Sequence, residues 1–476
     1  MRRIKVKQKY KNYIKLFIDI IVLFTSIISM IISISFNKNE GYNLLFLLPI
    51  TFLMLYFLIY RKILFKNLRI FLTSFSIIAY IRYIAMPILI VVSGYYDGRS
   101  VVSPAESSYR SACLLMIYEF IVVSVAVIIF EKKYNNKYIE NKNEIELPKN
   151  KMIYLIFIGI AIIVAIIYPQ ALKMFSFINP GISGEDVYLT TLPTNIAIAT
   201  YILFTGKYLI YILVISYLYK KYKVNRNAIY KGLAFLATFI NISVFYGLNR
   251  SDLVIPACAS ILLYIKLFKD KNVFKYIIIG ILVISLVSSI GETRQLASIS
   301  KNQSKLVDVT DMVQGYFGGV YNVAISIETY DYYPESRSLY RVIYDTARPF
   351  IGINLFLKNV DMEFTNDFFN RRIYFSDHTA QIIPIIGQGY IHFGYILSPI
   401  LEILIIYMAY FLEKLMKKTS RIELIYLIYI CLIRMGFIMG QNTGNMANEL
   451  SMNLVLFIII YIINNKIVYK KEEKYD

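Results

Sequence analysis

Apolar residues in this chain come in long unbroken runs separated by short polar linkers. Runs such as YLIFIGIAIIVAIIY approach the roughly 20 residues that carry a helix across a bilayer. A membrane β-barrel would alternate apolar and polar residues over about 10 positions, and these runs do not. The pattern predicts an all-α, polytopic integral membrane protein of twelve transmembrane helices. They are placed at Leu16–Phe36, Leu44–Tyr60, Ile70–Ser93, Ser111–Phe130, Met152–Leu172, Asn195–Tyr219, Ala228–Gly247, Asp252–Phe268, Tyr276–Ile290, Tyr395–Leu412, Ile422–Gly440 and Leu450–Asn464.

The linkers set the sidedness. MRRIKVKQKYKNYIK, RKILFKNLR, EKKYNNKYIENKNEIELPKNK, KKYKVNR, KLFKDKNVFK, EKLMKKTSR and the tail are densely basic. The intervening short loops hold only Lys38, Arg99, Arg110, Lys173 and Arg250. By the positive-inside rule both termini are cytoplasmic. The ninth and tenth helices then flank a large extracytoplasmic loop, Gly291–Ala380. The expected organisation is helices 1–9 over residues 1–290, the loop over 291–380, and helices 10–12 with the tail over 381–476. Composition agrees: 57% of residues are hydrophobic and mean hydropathy is +0.55. The net charge of +20 is explained by the inner linkers, so no nucleic-acid partner is expected. Cys113, Cys258 and Cys431 all fall inside apolar runs, which gives neither a disulfide framework nor a metal cluster. The first apolar run lacks a small-residue cleavage site and reads as a retained helix.

Unstructured loops longer than about 12–15 residues are uncommon unless functional or disordered. The outer loop is several times longer and rich in aromatic and β-branched residues. Its stretches DMVQGYFGGVYNVAISIETY and SLYRVIYDTARPFIGINLFL have the period of amphipathic helices, expected to pack on the outer surface as a vestibule. From Gly291 to Ala380 nine Lys/Arg face eleven Asp/Glu, so individual arginines matter more than bulk charge. Arg250, Arg294, Arg341, Arg348 and the pair Arg371-Arg372 are candidates, because guanidinium binds phosphate bidentately and stays charged. Each has a plainer reading: Arg341 can pair with Asp345 at i, i+4, Arg250 can anchor a helix start, and Arg371-Arg372 can be a solvated face. Both histidines, His378 and His392, lie near the loop's end. Imidazole can take a proton from a sugar hydroxyl near neutral pH, and Asp377 can orient His378. Gly387-Gln388-Gly389 and Gly394, between Pro384 and Pro399, predict a broken start to the tenth helix, as where backbone lines a cavity. Arg82, Glu119, Lys207, Glu402 and Arg434 in or near spans are paired or functional, and Arg82 with Glu119 can simply pair. Tyr316, Phe317 and Tyr321 offer sugar-stacking faces or loop core.

No G-x-x-x-x-G-K-[ST], no D-x-D triplet and no metal-ligand cluster is present in the sequence, so no cofactor and no metal are expected. The absence of internal repeats weighs against a transporter built from inverted repeats.

The segments RYIAMPILIVVSG, GLNRSDLVIPACASILLY, GYFGGVYNVA and IPIIGQGYIHFGYILSPILE, in this order around a late outer loop, resemble the O-antigen/oligosaccharide repeat-unit polymerases of the Wzy type. The likeness covers nearly the whole chain. It implies a bacterial cytoplasmic-membrane enzyme with a fold like that of lipid-linked-sugar glycosyltransferases and O-antigen ligases. The implied reaction transfers a growing glycan from undecaprenyl pyrophosphate to a lipid-linked repeat unit, serving O-antigen or capsule synthesis. Partners implied are the undecaprenyl-pyrophosphate-linked oligosaccharide, membrane lipid and a chain-length regulator. Arg250 and Arg294 match the family's outer-face arginines, and His378 its loop histidine. These three are the catalytic candidates; Arg348, Arg341, His392, Arg82 and Lys207 are the substrate-binding ones. The rival readings are a lipid-linked oligosaccharide flippase or other transporter, and a glycan ligase.

Overall fold

The structure, a computed structural model, describes residues 2–66, 69–135, 144–175, 193–245, 250–269, 280, 304–377 and 381–472. The described residues are helical with turns and loops between, and an isolated bridge joins Glu146 to Arg421. Among the described residues six helices are long and apolar enough to cross a membrane: Asn12–Ser35, Glu40–Lys66, Ile70–Ser93, Glu106–Tyr134, Thr194–Asn225 and Thr443–Lys466. A bent pair, Ile385–Leu397 with Ile400–Lys418, makes a seventh if it counts as one span. Met152–Ile167, Ala228–Ser243 and Leu253–Phe268 are apolar but shorter. The expected ninth helix, Tyr276–Ile290, lies outside the described residues except for Gly280.

We label the helices α1 (Arg2–Ser35), α2 (Glu40–Lys66), α3 (Ile70–Ser93), α4 (Glu106–Asn135), α5 (Met152–Ile167), α6 (Thr194–Asn225), α7 (Ala228–Ser243) and α8 (Arg250–Phe268). Then follow α9 (Lys305–Phe317), α10 (Val320–Tyr332), α11 (Leu339–Ala347), α12 (Thr365–Tyr374), α13 (Ile385–Leu397), α14 (Ile400–Lys418), α15 (Ile422–Met435) and α16 (Thr443–Glu472). Their ends follow local chemistry. Gly94 at φ 69° closes α3 in the left-handed conformation that costs glycine least. The expected helix over Met152–Leu172 stops early at Ile167, because Tyr168 precedes Pro169 and takes φ −120°, ψ 67°, outside the α region that proline disfavours before it. The expected start of the tenth helix at Tyr395 moves to Ile400. Gly394 leaves the helical region at φ 69°, ψ −174°, and α13 and α14 meet at 104° across Ser398-Pro399. The broken start read from the Gly/Pro pattern is present. α2 and α3 each contain a π turn, at Tyr56–Tyr60 and Ile81–Ala85, a feature that often accompanies functional or strained positions.

The chain divides into two compact units. The first comprises Met1–Tyr138, Ser298–Phe411 and Arg434–Asn448; the second comprises Ile139–Ala297, Leu412–Ile433 and Glu449–Asp476.

In the first unit α10 is the centre. Val320 to Thr329 are buried without interruption, and α10 packs against α4, α12 and α13. The expectation of a surface-lying helix here is corrected: a helix buried on every side needs core neighbours all round. Small residues allow the close approach. A Cβ on Gly318 would stand 2.7 Å from Pro384 Cβ and 3.0 Å from the Met439 carbonyl oxygen. Tyr321 is likewise core, its ring lying against Gly98.

In the second unit α6 packs against α5 and α7, and α7 against α8. A buried polar thread crosses it: Asn241 Nδ2 donates to Ser260 Oγ at 2.9 Å, and Ser260 meets the Tyr426 hydroxyl at 3.2 Å.

Candidate functional site

Several polar groups of the first unit meet in one buried cluster, and helix geometry explains how. Asp345 is on the inward face of α11, at the N-terminus of α12. Its Oδ1 accepts from the Thr365 backbone N–H at 3.1 Å, so the carboxylate complements the positive end of that helix. Its Oδ2 accepts from Gln388 Nε2 at 3.0 Å. Gln388 stands in the Gly-Gln-Gly run of α13. Its Nε2 also donates to Thr443 Oγ1 at 3.1 Å, and its Oε1 accepts from the Thr443 N–H at 3.0 Å. Thr346 donates to Thr443 Oγ1 at 2.9 Å. The start of α16 is thereby tied to α11 and α13.

His392 completes the cluster, one helical turn beyond Gln388. Its Nε2 is 2.9 Å from Thr365 Oγ1 and 3.9 Å from Asp345 Oδ2. Its side chain is fully buried and Nδ1 has no partner. Either the threonine hydroxyl donates to Nε2 and Nδ1 carries the hydrogen, or Nε2–H donates and Nδ1 offers its lone pair. Asp345 faces the same nitrogen as Thr365, so this is not a relay in which carboxylate and hydroxyl occupy opposite ring nitrogens.

Arginines stand on the same two helices, α11 and α12. Arg341 donates to the Glu363 carbonyl, and Arg371 Nη2 donates to Glu363 Oε1 at 2.6 Å and Asp377 Oδ1 at 3.2 Å. The two guanidiniums lie 4.7 Å and 5.2 Å from the Phe368 ring centroid, within cation–π range. Asp367 accepts from the Phe364 N–H at 2.9 Å. Burial pushes its carboxyl above the usual carboxylate range, against the pull of that hydrogen bond. Arg348, half-buried just past α11, donates its backbone N–H to the Tyr344 carbonyl at 2.8 Å, while its guanidinium has no hydrogen bond or ion pair among the described residues.

Two further ion pairs hold the segment between α3 and α4 in place. Arg99 Nε and Nη2 donate to Asp311 Oδ2 at 2.9 and 2.6 Å, and the Tyr95 hydroxyl donates to Asp311 Oδ1 at 3.0 Å. Burial disfavours the charged guanidinium, yet the carboxylate more than offsets this and holds Arg99 above its ordinary value. Arg372 pairs with Glu328, which also accepts from the Ala105 N–H at 2.7 Å.

Two plain sequence readings are corrected here. Arg341 and Asp345 do not pair, because Asp345 turns inward to Thr365 and Gln388. Arg372 is not on a solvated face but buried. Arg82 follows its plain reading: Nη1 donates to Glu119 Oε1 and Oε2 at 2.8 and 2.7 Å, and Nε to the Gly318 carbonyl at 2.8 Å. It joins α3 to α4 and to the turn before α10. Glu402 on α14 brings a second carboxyl against Glu119.

His378 and Arg294 lie outside the described residues. Arg250 opens α8 in the second unit, and its side chain lies outside what is described. Lys207 is also in the second unit, its ammonium 5.6 Å from the Tyr208 ring centroid, with no ion-pair partner among the described residues. Among the described residues no group of His, Cys, Asp or Glu could hold a metal ion.

Sequence reasoning missed Thr365 and Thr443 and saw Asp345 only as a partner for Arg341. The available signal was Gln388, one polar residue between two glycines in an apolar run. No protein-family profile, curated protein or solved structure matches the chain.

Proposed function

We propose that the protein is a membrane glycosyltransferase that polymerises lipid-linked oligosaccharide repeat units on the outer face of a bacterial cytoplasmic membrane. The observation that carries the reading is the cluster of Asp345, Thr365, Gln388 and His392, with Arg341 and Arg371 on the helices α11 and α12 that carry Asp345 and Thr365, and Arg348 just past α11. It is a preorganised polar site beside apolar spans, where a lipid-borne phosphate and a sugar hydroxyl could meet. In the reaction, the acceptor hydroxyl oxygen forms a bond to the anomeric carbon of the growing glycan. The bond from that carbon to the pyrophosphate oxygen breaks, and undecaprenyl pyrophosphate leaves with the electron pair. The acceptor proton passes to a histidine. His378, next to the exposed Asp377, is assigned that role. His392, buried behind α12, is a positioning residue that fixes Thr365. Arg250 and Arg294 neutralise the leaving pyrophosphate.

The test is purified protein in liposomes with a defined lipid-linked repeat unit, read as a glycan ladder. His378→Ala and Arg294→Ala should abolish elongation, and His392→Gln should lower kcat while leaving single-unit binding intact. Full-length ladders from both His378→Ala and Arg294→Ala would sink the role assignment. Transport of unmodified repeat units across the bilayer without elongation would make the protein a flippase. Transfer only to a non-repeat acceptor would make it a ligase.

A further inference from the structure

The helix α11 is amphipathic in the inverted sense. Arg341, Asp345 and Arg348 share one face, and Asp345 is buried against α12 and α13. Leu339, Tyr340 and Ile343 share the other, and that apolar face is exposed: Leu339 by 61% and Ile343 by 63%. The chain beyond continues the pattern. Ile353, Leu355 and Phe356 are exposed, Phe356 by 87%. Local bonds fold this stretch back on α11: Phe350 N–H to the Ala347 carbonyl at 3.1 Å, Asn354 N–H to the Phe350 carbonyl at 2.9 Å, and the Tyr344 hydroxyl to the Val360 carbonyl at 3.4 Å. Scattered exposed apolar residues need no explanation, but six large ones within one folded-back segment do.

We propose that this face is a membrane-interface anchor that sits in the headgroup–acyl boundary of a lipid bilayer. Three features favour lipid over a soluble partner. The described residues of the same chain include six helices fit to cross a membrane, so a bilayer is always at hand. Arg348 and Lys358 have no ion-pair partner among the described residues, and the Arg337 guanidinium donates to the Tyr330 carbonyl and stacks on its ring at 3.8 Å. These cations complement lipid phosphates, and Tyr340 supplies the amphipathic ring that favours the interface. The exposed Glu335 and Asp361 reduce the net charge, so apolar insertion carries most of the attachment and anionic lipid adds to it. The anchor holds the inward face of α11, with Asp345, at a fixed depth. The proposal requires only that the chain sits in a membrane, and does not depend on the proposed activity.

The chain contains no tryptophan, so Phe356→Trp, and separately Ile343→Trp, each place a single reporter on an exposed site. The purified variants are reconstituted into vesicles of phosphatidylcholine brominated either near the headgroup or deep in the acyl chain. An anchor reaching about 5–10 Å into the boundary gives blue-shifted emission, quenching of about twofold by shallow bromines, less by deep ones, and protection from aqueous iodide. Quenching by iodide without quenching by bromolipid puts the face in water and overturns the proposal. Protection from both quenchers means that protein covers it, a second copy or another chain, and overturns it equally.

Discussion

Replacing Arg372 with methionine should be far more costly than its place in an Arg-Arg pair on a polar loop suggests. The Arg372 side chain is 3% exposed and its partner Glu328 is 7% exposed. Removing the guanidinium leaves a buried carboxylate whose remaining bond is the Ala105 N–H at 2.7 Å. Breaking a buried ion pair from one side costs about 3–5 kcal/mol, whereas an exposed pair is worth about 0–1 kcal/mol. The difference decides between the two readings. At 1.36 kcal/mol per factor of ten, Arg372→Met lowers the folding equilibrium roughly 150- to 5,000-fold. For a unit of this size that is a fall in Tm of about 6–20 °C, at roughly 2–4 °C per kcal/mol. Adding Glu328→Leu removes the stranded charge but leaves the Ala105 N–H unpaired, a cost of about 1–3 kcal/mol. The double variant should therefore be more stable than Arg372→Met alone. Thermal unfolding of purified protein in detergent, followed by monodisperse elution, reads all four members of the cycle. A Tm within about 2 °C of wild type for Arg372→Met would refute the reasoning. Additive losses in the double variant would refute it as well.

Two other outcomes follow from local geometry. A Cβ at Gly389 would stand 1.9 Å from the Ser398 backbone oxygen, and at Gly387 it would stand 2.1 Å from the Ser326 hydroxyl oxygen and 2.5 Å from Ser326 Cβ, which no rotation can move. Gly389→Ala and Gly387→Ala should therefore each cost about 1–3 kcal/mol of overpacking, measured as a fall in Tm. Asp367 has a folded-state pKa above the ordinary carboxylate value because of burial, so its stabilising contribution is fully present below that ordinary value and is lost as pH rises through the raised one. Asp367→Asn should flatten this fall, and unfolding midpoints measured across the acidic range read it directly.

The class of the fold was legible in the sequence because bilayer-crossing helices need only apolar length, and Ile70–Ser93 was bounded to the residue. The break ahead of the tenth span was legible for a different reason: Pro384 and Pro399 restrict the backbone locally and Gly394 frees it for a left-handed φ, whatever surrounds them. The burial of α10 was not legible. VYNVAISIET carries Asn, Ser, Glu and Thr at intervals that read as an outward face. Those residues find partners inside in Gln381, the α10 carbonyls and Arg372, partners distant in sequence or local to the backbone. The site was half legible. His392 and Gln388 stand out as polar residues in apolar surroundings, but Thr365 is an ordinary helix-start residue until α11 and α13 are brought to it. The direction of the α11 face was invisible too, since periodicity shows that a stripe exists and not which side of it meets solvent.

The first unit is assembled from stretches separated by some 160 residues, between Tyr138 and Ser298. At roughly 5–20 residues per second, synthesis of that insert takes about 10–30 s. α4 must wait through it before α10 exists to pack against it. Arg82 and Glu119 both belong to the early stretch, so the guanidinium is neutralised in the nascent hairpin well before the Gly318 carbonyl is made. The pair acts as a placeholder in time. It keeps a charge compensated within the membrane during translation, and it leaves Nε free as the latch on which the late-arriving centre of the unit closes.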